Sequence, residues 1–407
     1  MTADARYRAV LDAAAVLYAN GQSTGMTQTA VARLNRGLDL DCVLIPSWPM
    51  LTLTAEESRE TVLTQPISPI GIDMGRVATL MSVIDRAEDG PLELPALNKA
   101  VAVAKAEKNS STALFTVACA TGAGALAVIF GATHPLTILI VAVGAAAGGL
   151  LRRWLGHAGA GPLVQVFGAA VIAGAIGAVA THLDLGSSTA LVAVCQAMVL
   201  VPGPHLLNGA LDLLDLRVSL GVARLGYGAL LLAAISGGLV LGLSLGGQTL
   251  AVSAPAGAAP LYLDVLAAGI AAASYPVYFS MPWRMIGWPI GVGALAHAVH
   301  WYLLHAGASL ALAAFVSCLL VGVILVPVAH YMRIPFAGIG FASVVALVPG
   351  VYVFRTLSGF ALFSSHPSAA LLSATTSDLI VASITVSGMA IGLALPMHVF
   401  GRALSWR

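Results

Sequence analysis

Arg224 and Asp378 carry charge where charge is expensive, each about two helical turns into a long apolar run. An ionisable group inside a bilayer costs several kcal/mol unless it is paired or hydrated, so each marks a functional hypothesis. A guanidinium grips a carboxylate, a carboxylate grips an ammonium, and a buried aspartate whose pKa rises can also carry a proton. Together the two suit a zwitterionic small molecule. The plainer alternatives are a structural Arg–Asp pair, or an Arg224 that snorkels to the membrane surface.

Other polar groups cluster around two helix stops. "LVPGPHLLNGALDLL" starts at Leu200 and places His205, Asn208, Asp212 and Asp215 just beyond Pro202-Gly203. The three-residue spacing puts both carboxylates on one face of a short helix, either as a substrate or cation entrance or as a solvated interfacial segment. Gln196 precedes the stop and can hydrogen-bond a substrate or the next helix. The second stop, Pro349-Gly350, is followed by Arg355, which either guards an exit or sits in a reentrant segment over Phe354–Phe363. Asp264 reads as an interfacial cap. His297 and His300 share a helix face, but no third ligand of fixed spacing supports a metal site. Asp73 and Arg76 open a helix as a local pair. The single, scattered cysteines Cys42, Cys119, Cys195 and Cys318 read as small apolar fillers, and no cofactor motif is expected.

These residues need a membrane scaffold. Of 407 residues, 58% are hydrophobic and only 9% charged, far below the roughly 25% of soluble domains. Residues 1–109 hold 10 of the 19 Lys and Arg and 13 of the 18 Asp and Glu. That segment is expected to be a cytosolic α/β domain: it lacks a signal peptide pattern, and "CVLIP", "MLTLT" and "RETVLTQPI" read as strands between helices, the first of which stops at Asn20-Gly21. Beyond it, ten hydrophobic spans are expected, at 112–131, 135–151, 163–181, 187–203, 218–245, 261–280, 285–304, 308–330, 334–349 and 371–395. With both termini cytosolic, Lys99, Lys105, Lys108, Arg152, Arg153, Arg217, Arg284, Arg333, Arg402 and Arg407 all fall inside, and only Arg355 falls outside. A net charge of +1 and no basic run give no reason to expect nucleic acid.

The two stops also repeat. LVPG recurs after 147 residues, and "SGGLVLGLSL" (236–245) matches "VSGMAIGLAL" (386–395) after 150. Each unit holds five spans, an odd number, so the second lies upside down relative to the first. The fold expected is therefore a polytopic α-helical membrane protein with a 5+5 inverted repeat, residues 110–250 and 251–407, behind the 1–109 domain. In such transporters, Gly/Pro-interrupted spans in matching positions point to the substrate site. Proline removes a backbone donor, glycine permits a left-handed turn, and the freed carbonyls must face protein or water. The stops accordingly read as mouths of a polar pathway, the first at the cytosolic face and the second at the outer face, or else as plain helix ends.

"ANGQST" (19–24), the block "VPGPHLLNGALDLLDLRVSLGVARLGYG" (201–228) and "PFAGIGFASVVALVPGVYVFRTLSGF" (335–360) resemble the threonine/serine exporter (ThrE) family. The resemblance implies export of small amino acids, chiefly threonine and serine, across the bacterial cytoplasmic membrane, driven by the proton motive force. Related two-subunit members are associated with dicarboxylate export, so a small dicarboxylate such as succinate is the alternative substrate. Expected partners are a small-molecule substrate, protons and the bilayer, with self-association left open. A rival class is an integral-membrane enzyme using Asp212 and Asp215, but the second Asp-rich motif and the basic residues that a diphosphate needs are missing. The chain is therefore expected to be a secondary transporter and not an enzyme.

Overall fold

The computed structural model describes residues 3–55, 60–183, 189–248, 259–332, 334, 336–363 and 366–404. Arg333, Arg407, the start of the 187–203 run and the expected boundary between residues 250 and 251 lie outside the described residues.

The first hundred residues follow their local signals. Helix α1 (Ala3–Ala19) stops at Asn20-Gly21, where Gly21 adopts φ +94°, a conformation that glycine reaches without steric cost. Ser23 caps α2 (Thr24–Leu38) by accepting from the Met26 amide at 3.4 Å. Strands β1 (Cys42–Pro46), β2 (Met50–Ala55) and β3 (Thr61–Pro66) form an antiparallel sheet in sequence order. Alternation turns Leu44, Leu51 and Leu53 inward, where they join Val10, Leu17 and Leu34 of the first two helices. Asp73 caps α3 (Met74–Ile84) and also pairs with Arg76 at 3.5 Å, and Pro95 occupies the first turn of α4 (Leu94–Ala106).

Among the described residues the remaining twelve α-helices fall in two runs of six with similar order. The first run is α5 (Thr112–Ile129), α6 (Pro135–His157), α7 (Pro162–Ala180), α8 (Thr189–Met198), α9 (Gly203–Leu214) and α10 (Val218–Leu245). The second is α11 (Leu261–Tyr278), α12 (Trp283–His305), α13 (Leu310–Met332), α14 (Phe336–Val344), α15 (Gly350–Phe363) and α16 (Ala369–Leu404). Helices α9 and α15 are the short continuations beyond the two breaks.

The span count differs from the ten expected. Among the described residues seven helices are long and apolar enough to cross a bilayer, or up to nine if each of two bent pairs counts as one span. Helix α12 covers the expected 285–304 run but is not among them, because His297, His300 and His305 dilute its apolar character. The two short runs are not straight spans either. Each leads into a further helix across the proline-glycine break, α8 into α9 and α14 into α15, and both pairs bend by 62°. The chain is a polytopic helical membrane protein.

Packing within the two runs follows one scheme. α5 lies on α6, α6 on α7, α8 against both α6 and α7, α9 on α10, and α7 runs along α10; α11 to α16 repeat these contacts in the same order, ending with α13 along α16. Small residues let backbones approach where lipid gives no hydrophobic drive between helices. A Cβ on Gly238 or Gly242 would strike the carbonyls of Phe167 or Val171 on α7, and one on Gly388 or Gly392 would crowd the carbonyls of Ala311 or Phe315 on α13. Contact between α5 and α11 joins the runs. Large apolar side chains such as Leu139, Val143, Leu230, Leu266 and Ile384 point outward, as expected where the surrounding solvent is acyl chain.

The sheet segment is not a separate bead on this bundle. One continuous apolar cluster takes in Leu17, Leu53 and Met81 together with Met281, Met285, Phe336 and Leu393. The Met74 amide donates to the Phe279 carbonyl at 2.7 Å, and the Trp48 and Tyr227 rings meet at 5.7 Å.

Candidate functional site

Arg224 and Asp378 do not meet; each closes an ion pair within its own run. On α9, Asn208 and Asp212 sit four residues apart on the buried face. Gly209 and Gly221 bring α9 and α10 together, since a Cβ on Gly209 would lie 3.2 Å from that of Arg224. Arg224 Nε then reaches Asp212 Oδ2 at 3.0 Å, with both side chains at most 2% exposed. Burying two charges demands further partners, and the first helices supply them. Thr24 Oγ1 donates to Asp212 Oδ2 at 3.1 Å and accepts from Arg224 Nη2 at 3.4 Å. The Tyr18 ring lies 4.9 Å from the guanidinium carbon, and burial pushes the Tyr18 hydroxyl up to about 12 despite the nearby cation. Asn208 Nδ2 donates to the Gly21 carbonyl at 3.1 Å. Gly21 and Thr24 of "ANGQST" therefore pack over α9 and α10.

Asp215 ends α9 rather than extending its buried face. Arg217 holds it at 2.7 Å and also reaches Asp212 at 3.5 Å, while His398 Nε2 lies 3.0 Å from its other oxygen. Both carboxylates are thus engaged by arginines, an arrangement unlike an open pair awaiting a divalent cation.

In the second run the pair is reversed. Arg355 on α15 places Nε 2.9 Å from Asp378 Oδ2 on α16, beside the Tyr352 ring. In the first run the carboxylate belongs to the helix after the break and the guanidinium to the next helix; in the second the assignment is exchanged. Gly359 packs closely on Thr375 at this crossing. Arg355 is therefore paired inside a helix, within the segment that one sequence reading took as reentrant.

The two breaks adopt the same local geometry. Gly203 N donates to Val201 O at 2.8 Å and Leu206 N to Pro202 O at 3.2 Å; Gly350 N donates to Val348 O at 2.7 Å and Val353 N to Pro349 O at 3.2 Å. Val201, Gly203, Val348 and Gly350 line one narrow pocket together with Met198, Tyr275 and Phe341. The two stops, expected as mouths at opposite faces, both line this one pocket. The Val201, Pro202, Val348 and Pro349 carbonyls at the turns accept from local amides.

A second, narrow pocket lies beside α6 and α8. Gln196 reaches it from α8; its amide donates to Val192 O at 2.7 Å, while its buried Oε1 has no hydrogen bond. Arg152 also lines this space. The charge count had assigned Arg152 to the cytosolic rim and given it no role. The available signal was the spacing Gly144, Gly148, Arg152, which sets two bare positions and a cation on one helix face.

The remaining expected residues are placed as follows. Asp264 is buried in the first turn of α11 and lies 3.0 Å from His297 Nδ1, so it is a buried partner and not an interfacial cap. His300 stands 5.9 Å from His297, ring to ring. Among the described residues no group of three or more His, Cys, Asp or Glu side chains is arranged to hold a metal. Asp73, buried at the start of α3, has its carboxyl raised above the ordinary range by that burial, against the Arg76 amide and guanidinium that favour its charge. All four cysteines are buried, and the Cys42 thiol donates to Asn35 Oδ1 at 3.0 Å.

A family model described as a putative threonine/serine exporter matches residues 8–246, more than half of the chain. The chain belongs to the threonine/serine exporter family. A second model, threonine/serine exporter, ThrE, matches residues 264–399, so the exporter family spans both helical runs and the sheet segment. No solved structure matches the chain. Membership in this exporter family and the bundle of apolar helices together make the chain a membrane transporter for a small molecule.

Proposed function

We propose that this exporter moves threonine, serine and similarly small amino acids out of the bacterial cytosol by alternating access, in exchange for protons. Residues 110–250 and 251–407 act as two inversely oriented halves, with 1–109 as a cytosolic domain and both termini inside. The observation that carries this reading is the pair of 62° breaks lining one pocket with matching hydrogen bonds. Broken helices of matched halves that meet around a central space are the arrangement on which rocking-type carriers are built. Asp378 is the proton carrier: when its helix parts from α15, the carboxylate loses Arg355 and takes a proton. The Gly21–Thr24 plug closes the cytosolic side over Asp212 and Arg224.

The test is efflux from proteoliposomes with an imposed pH gradient, offering threonine, serine, alanine and succinate. Saturable threonine and serine movement that follows the gradient supports the reading. Succinate movement alone would replace the substrate, and flux indifferent to the gradient would remove proton coupling. In Asp378→Asn, substrate exchange is expected to persist while gradient-driven efflux falls at least tenfold.

A further inference from the structure

The substrate of an amino-acid exporter offers a carboxylate and an ammonium, and the cavity between α6 and α8 holds an unspent partner for each. Arg152 and Arg153 are adjacent, yet only one is engaged. Arg153 Nη2 donates to the Ser110 carbonyl at 3.0 Å and to its hydroxyl at 3.2 Å, with its guanidinium 4.3 Å from the Phe115 ring. Arg152 lies over the same ring at the longer distance of 5.9 Å, and among the described residues no carboxylate or carbonyl pairs with it. A guanidinium near apolar helices without a counter-ion is costly, and it is suited to bidentate capture of a carboxylate.

Gln196 supplies the complementary group. It is 3% exposed, its amide nitrogen is spent on Val192, and Oε1 is a buried acceptor with nothing to accept from. Leaving such an atom unpaired costs the desolvation of a polar group. Its amide lies against Gly144, where no side chain fits, while Gly148 packs on Ala169 and Gly149 on Cys119. A pocket lined by a cation without a counter-ion and by a carbonyl oxygen without a donor has the polarity of a small zwitterion.

We infer that Arg152 and Gln196 form a subsite for an α-amino acid, Arg152 binding the carboxylate and Gln196 Oε1 accepting from the ammonium. This rests on the export reading above and names the residues that read the backbone of the transported molecule. Tyr278 and Cys119 complete the wall, and discrimination among side chains falls to the rest of the cavity.

The experiment measures binding to the purified full chain by calorimetry, and efflux from proteoliposomes, with three probes: L-threonine, threoninol, which lacks the carboxylate, and 2,3-dihydroxybutyrate, which lacks the ammonium. Wild type is expected to bind L-threonine at least tenfold more tightly than either truncated probe. Arg152→Gln should raise the KM for threonine efflux at least tenfold with a smaller change in kcat, and Arg152→Lys should recover part of it. Gln196→Leu should raise KM, and Gln196→Glu, which keeps an acceptor, should restore binding. Arg152→Gln protein with wild-type KM and affinity would overturn the subsite while leaving export intact. If Arg152→Gln fails to fold, the wild-type comparison decides: threoninol binding as tightly as L-threonine overturns the subsite. Wild-type protein that neither binds nor moves any amino acid overturns the export reading and the subsite with it.

Discussion

The two helix breaks share a bend angle and a hydrogen-bonding pattern, but their charged pairs are set in different surroundings. Asp212 and Arg224 are sealed beneath Tyr18, Gly21 and Thr24, and Arg217 adds a second cation. Arg355 and Asp378 have the Tyr352 ring beside them, and Arg355 is 14% exposed against 1% for Arg224. One backbone device therefore serves two electrostatic tasks. A pair clamped from a third direction is costly to separate and suits a latch; a pair held by its own two helices separates whenever those helices move apart. On the proposed reading the sealed pair is the latch, on the side that carries the sheet segment.

The largest expected effect comes from breaking the sealed pair. Asp212→Ala leaves Arg224 buried without a counter-ion, at a cost of about 3–5 kcal/mol, and thermal melting in detergent should show a fall of many degrees. Replacing both members together, Asp212→Leu with Arg224→Met, should recover most of that loss. If the single and double variants melt alike, the pair is not the source of the stability. Next in size is Gly203→Ala. The new methyl would drive into the Phe341 ring, and overpacking of this kind costs about 1–3 kcal/mol. Thr24→Val ranks third. It removes the hydroxyl that bridges Asp212 and Arg224, for a loss of about 1 kcal/mol. As a loosened latch it should also raise threonine efflux at neutral pH; unchanged flux with lowered stability would make the bridge structural only.

The sequence carried much of this architecture and little of its pairing. The strand runs "CVLIP", "MLTLT" and "RETVLTQPI" and the Asn20-Gly21 stop are local features, written in alternation and turn residues, and strands form at 42–46, 50–55 and 61–66. The apolar runs were equally legible, because span length is set by bilayer thickness. The partner of a charge is a long-range property. Arg224 and Asp378 look like a pair when only spans and repeat offsets are known, yet Asp212 lies one short helix away from Arg224 and takes it first. The second member of each bent pair, α9 and α15, is short and polar enough on one face to read as a connection. Arg152 was overlooked because charge counting treats every arginine near a helix end as a rim residue, and only packing reveals that Arg153 is the one with a partner.

The smallest effect sharpens the comparison most, because it uses the same substitution at the matching glycine. A Cβ on Gly350 would come within 3.0 Å of Met198 Cε, the free end of an unbranched side chain, instead of a rigid ring. Methionine fills irregular gaps and repacks easily, so Gly350→Ala should cost less than about 1 kcal/mol where Gly203→Ala costs more. Neither glycine has the positive φ that would make any side chain strained, so the contrast isolates what stands opposite each break. Melting temperatures of the two variants, measured side by side, check it. Equal losses would mean that the backbone turn itself demands glycine at both breaks, and the asymmetry between the halves would then reside in their charged pairs alone.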